Sequence, residues 1–116
     1  MADLPMTTII AKAQFEGIHC YPDAPEEVSY LRNPHRHIFG VEVEIEVFHN
    51  DRELEFILVK NKLLETFEKE MNSKSCEMIA KEVQEWAKKT YPHIPERRVN
   101  VAVYEDGENG AKVRDF

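Results

Sequence analysis

The chain has 116 residues, 42% of them hydrophobic and 32% charged, with a formal net charge of -7. That length fits one domain, 1–116, with a single core and no staples. The acidic balance excludes the basic field that nucleic acids or anionic membranes require, and no apolar run is long enough for a transmembrane helix.

The opening MADLPMTTIIAKAQ lacks the basic-then-apolar pattern of a secretory signal. The two cysteines, Cys20 and Cys76, have no metal-ligand spacing, so free thiols in a cytoplasmic protein are expected.

Residues 7–19 alternate in polarity. Ile9, Ala11, Ala13, Phe15 and Gly17 share one face, which ends at His19, while Lys12, Gln14 and Glu16 share the other. This predicts a first strand. Residues 20–34, with Pro22, Pro25, Asn33 and Pro34, read as a long loop. Residues 35–49 predict a second strand with Phe39, Val41, Val43, Ile45 and Val47 inward. Asn50-Asp51-Arg52 reads as a turn, and Leu54 to Leu58 as a short third strand.

Val59, Leu63, Phe67 and Met71 recur at helical spacing and predict a helix over about 58–71. A second helix is predicted near 75–90, with Ile79, Val83, Trp86 and Ala87 inward. Ser73 or Ser75 would cap it, Glu77 suits its positive end, and Pro92 and Pro95 end it. Val99, Val101 and Val103 form a further strand leading to Glu105. Asp106 to Gly110 form a turn, and Ala111 to Asp115 a closing strand.

The predicted order is β-β-β-α-α-β-β. The class is α+β, an antiparallel sheet of four to five strands with two helices on one face. Glu42, Glu44 and Glu46 lie on the opposite face, either solvated or lining a polar interior in an oligomer.

His35 and His37 project from one face at the start of the second strand, since alternate strand residues point the same way. If the first two strands are antiparallel neighbours, His19 joins them. Three converging imidazoles match an open zinc site with three protein ligands. The competing reading is histidines that merely satisfy one another. His49 and His93 fit no cluster and read as surface residues.

The pattern Phe15-Glu16-x-x-His19 followed by His35-x-His37 resembles the 6-pyruvoyltetrahydropterin synthase family, which includes the bacterial 6-carboxytetrahydropterin synthase of queuosine biosynthesis. LEFILVK at Leu54–Lys60, KSCE at Lys74–Glu77 and VAVYE at Val101–Glu105 stand where that family has further motifs. The resemblance spans about 7–115. It implies the tunnelling fold, β-β-α-α-β-β, whose sheets assemble into homo-oligomeric trimers or hexamers. It also implies zinc on His19, His35 and His37, and a small-molecule pterin-like substrate anchored by Glu105, with Ser75 and Glu77 shaping its pocket. The implied activity is that of a lyase acting on dihydroneopterin triphosphate or a related pterin or deazapurine precursor.

Three positions depart from the family. Leu31 stands where it has a cysteine, the Asp-His pair between the helices is missing, and Arg36 separates the two histidines. Cys76, in the first turn of a helix whose dipole lowers a thiol pKa, is one candidate replacement, and its competing reading is a small buried apolar residue. Glu26 and Glu27 in the long loop are the others, against a reading as solvated loop charge. Two functions stay open: a zinc enzyme with altered chemistry, and a catalytically inactive relative that binds a pterin or purine or serves as scaffold.

Overall fold

The structure, a computed structural model, describes residues 6–67 and 71–116. The elements run β1 (Thr7–His19), a 3-10 segment (Glu26–Arg32), β2 (His35–Val47), α1 (Phe56–Phe67), α2 (Cys76–Thr90), β3 (Val99–Glu105) and β4 (Gly110–Val113). The four strands form one antiparallel sheet in the order β1-β2-β3-β4. This is the α+β class expected from the pattern, in the order β-β-α-α-β-β.

The alternation read from the sequence sorts the sheet into two faces. Ala11, Ala13, Phe15, Phe39, Val41, Val43, Ile45, Val99, Val101 and Val103 are buried on one. Val59 and Leu63 of α1, and Ile79, Ala80, Val83 and Ala87 of α2, close over them in a single core. Burial of this apolar surface is the main force holding both helices to the sheet. Ser75 caps α2 by accepting from Met78 N at 3.2 Å.

Two expectations need correction. No strand forms at Leu54–Leu58. The chain bends at Glu53 and Leu54 and enters α1 at Phe56. Glu55 wins this segment for the helix: its carboxylate accepts from Ile57 N at 3.0 Å, and its carbonyl from Val59 N at 3.0 Å. Of the helix predicted over about 58–71, residues 68–70 lie outside those described. Met71 has left the helix, and its N–H donates to Ile18 O at 2.9 Å.

The second correction concerns the glutamate face. Glu42 and Glu44 are half-buried, but Glu46 is 8% exposed. It accepts from the N, Nε and Nη2 of Arg98 at 3.0, 3.3 and 2.8 Å. A charge this far out of water needs such a partner, and the sequence pattern did not pair Glu46 with Arg98. No helix among the described residues is long and apolar enough to cross a membrane.

Candidate metal centre

The register of β1 and β2 builds the site. His19 lies opposite His35, and Gly17 opposite His37, so the three histidines share the end of the core face. Their rings meet edge to face, with centroids 4.6, 5.1 and 4.9 Å apart. The candidate ligand atoms all lie within 4.8 Å of one another. Phe39 forms the floor, with its ring 5.2 Å from His19 and 5.9 Å from His37. It can do so because residue 17 is glycine: a Cβ there would stand 2.7 Å from two Phe39 ring carbons.

Each imidazole is oriented from behind through Nδ1. His19 Nδ1 lies 2.9 Å from Lys74 O, His35 Nδ1 2.8 Å from Asn33 O, and His37 Nδ1 2.6 Å from Asp106 Oδ2. A proton on Nδ1 satisfies these acceptors, and in the neutral ring it leaves Nε2 as the lone pair. This is how metal-binding histidines are usually held.

Nε2 of His19 and of His37 are buried and have no hydrogen-bond partner. Glu105 Oε2 is 3.0 Å from the first and 3.6 Å from the second, yet neither contact has hydrogen-bond geometry. Buried nitrogens without a partner are costly, and a metal ion beside the carboxylate oxygen would satisfy both. The donor set therefore fits a metal ion, and mutually satisfied histidines do not describe it.

Asp106, read from the sequence only as a turn residue, is part of this centre. Its Oδ2 takes His37, and its Oδ1 accepts from Ile38 N at 2.8 Å. It sits at φ 54° beside Gly107 at φ 70°, a left-handed pair that tightens the β3–β4 connection. The Ile38 amide, then the His37 ring, hold its carboxyl below the usual carboxylate range. The sequence signal was its place next to Glu105 at a strand end. The carbonyls of Lys74 and Asn33 carried no such signal, since any residue type supplies one.

A cavity of about 530 Å³ opens beside the histidines. His19, His35, Ser75, Cys76, Glu77 and Glu105 line it, as do Cys20, Leu31 and Lys74. The predicted ligand-binding residues Ser75, Glu77 and Glu105 thus share one wall system with two of the histidines.

The predicted proton carriers fare differently. Cys76 is 8% exposed, and its thiol is pushed up to about 12 by burial first, then by the charges of Glu105 and Glu77. Of the two readings of Cys76, an activated thiol or a small buried apolar residue, its burial fits the second. Glu26 and Glu27 are exposed on the 3-10 segment and do not line the cavity, and Glu26 pairs with Arg32 at 3.2 Å. His49 is exposed, while His93 is half-buried and stacks on Phe48 at 3.9 Å.

No protein-family model matches the chain, and no curated protein matches it significantly.

Proposed function

We propose that this chain is a zinc-dependent, pterin-synthase-like protein whose cavity takes a pterin or deazapurine precursor. The observation that carries the proposal is the convergence of three backed imidazoles with orphaned, buried Nε2 atoms. The resemblance in FEGIH, HRHIF and VAVYE supports the pterin class. A cavity of about 530 Å³ is within the range that small heterocycles occupy.

His19, His35 and His37 would hold the zinc, which polarises a ligand oxygen when bound. Ser75, Glu77 and Glu105 offer the cavity its polar contacts. A carboxylate suits the paired N–H edge of a pterin. The reaction class in this reading is a carbon–oxygen lyase acting on dihydroneopterin triphosphate or a relative of it.

A second reading, binding without turnover, is favoured by one specific observation. Leu31 cannot carry a proton, Cys76 is buried, and Glu26 and Glu27 stand away from the cavity. Zinc-loaded protein separates the two. Pterin fluorescence should be quenched on binding in both readings, and only the first yields product from dihydroneopterin triphosphate. Neither quenching nor product would reject the pterin class.

In the same reading the chain works as a homo-oligomer, trimer or hexamer, in the cytoplasm. Among the described residues, the outer edge of β1 is met only by Met71 and Asn72 at its end. A long open edge invites another chain. Light scattering after size exclusion measures the assembly, and a monomer would reject this part.

A further inference from the structure

We propose that Glu105 is itself a ligand of the metal, so that the resting centre is closed by three imidazoles and one carboxylate. This rests on the metal-binding reading above and changes the part Glu105 plays in it. The family resemblance implies that Glu105 holds the substrate; its position assigns it first to the ion.

The spacing carries the argument. A tetrahedral zinc with nitrogen and oxygen donors about 2.0–2.1 Å away holds neighbouring donors roughly 3.3 Å apart. Glu105 Oε2 lies 3.0 Å from His19 Nε2 and 3.6 Å from His37 Nε2, on either side of that value. Nδ1 of both rings already has an acceptor, so Nε2 is the atom each ring has left for an ion, and neither Nε2 meets Oε2 with hydrogen-bond geometry. A metal ion placed among the three would engage all of them at once.

Glu105 is also delivered there rigidly. It is the last residue of β3 and lies opposite Phe39, which puts it on the same face as His37. Its N–H donates to Asn109 O at 2.8 Å, and its carbonyl accepts from Glu108 N at 3.0 Å. Asp106, the next carboxylate along, is engaged by His37 Nδ1 and the Ile38 amide, so it does not compete.

The consequence is chemical. Three-ligand zinc sites keep a position open for water or substrate, whereas four protein ligands close it. Glu105 also faces the cavity, with 29% of its side chain exposed. An incoming oxygen ligand must therefore displace a carboxylate, not a water, to reach the metal.

Cobalt-substituted protein tests this through its visible absorption. In the unmodified protein, azide at millimolar concentration should leave the cobalt bands unchanged, because no position is free. In Glu105→Ala, azide should shift them. Competition with a chelator should show Glu105→Ala and Glu105→Gln binding zinc about 10–100-fold more weakly or worse, since loss of even an outer-shell partner costs that much. If the unmodified protein binds cobalt and azide together, and both variants keep its zinc affinity, the carboxylate is no ligand and the three-histidine reading survives. If the unmodified protein takes up neither cobalt nor zinc, both readings are overturned.

Discussion

The Nδ1–H of His37 donates to Oδ2 of Asp106 across 2.6 Å, and the same carboxylate takes the Ile38 amide on its other oxygen. One side chain from the β3–β4 turn thus fixes both the tautomer and the orientation of a ring on β2. Outer-shell partners of this kind tune metal affinity. Asp106→Asn should weaken metal binding by about 10–100-fold while leaving the far-ultraviolet dichroism unchanged. Unaltered affinity in chelator competition would show that His37 needs no such support.

The two thiols should differ sharply toward alkylation. Burial and the neighbouring carboxylates push Cys76 up to about 12, and only the thiolate reacts. Cys20 is half-buried and lines the cavity, with Sγ 4.0 Å from Ser73 Oγ. Mass spectrometry of native protein treated with iodoacetamide at pH 7.5 should find Cys20 labelled first. Cys76 should label only after unfolding. Equal rates would restore it as a candidate nucleophile.

Gly17 is needed for what it lacks. An alanine Cβ would meet the Phe39 ring at 2.7 Å, and that ring supports His19 and His37. Gly17→Ala should cost about 1–3 kcal/mol in urea unfolding, the usual range for overpacking. It should also lower metal affinity, because the floor under two ligands moves. A neutral effect on both would mean that the ring relaxes freely.

Acid stability should respond to Glu46. Hydrogen bonds from Arg98 hold its carboxyl below its ordinary value of 4.5. A depressed folded-state pKa stabilises the protein above about pH 4.5, and that contribution is lost as pH falls through the folded value. Arg98 is half-exposed, so the pair is screened, and Glu46→Gln should cost about 1 kcal/mol at pH 7. The difference between variant and parent should shrink below pH 4.5. A constant difference across pH would remove Glu46 from the acid transition.

Much of this was legible because it repeats with period two. The faces of β1 and β2, the run from Val99 to Val103, and the meeting of His19 with His35 all follow from alternation and antiparallel pairing. The segment Leu54–Leu58 was misread because an apolar run of that length suits either a strand or a buried helix turn, and Glu55 decides between them by capping. Asp106 was half visible, as a turn residue beside Glu105. The contact of Glu105 with the histidines was not, since register places a side chain on a face but not its oxygen at a given distance. Glu46 with Arg98 depends on a pairing 52 positions apart, beyond any local pattern.

Metal content tests most directly whether His19, His35 and His37 hold an ion. Protein purified without chelator and analysed by inductively coupled plasma mass spectrometry should carry about one zinc per chain, and His37→Ala should carry almost none. A folded parent protein without metal, which also fails to take up added zinc, would contradict the account.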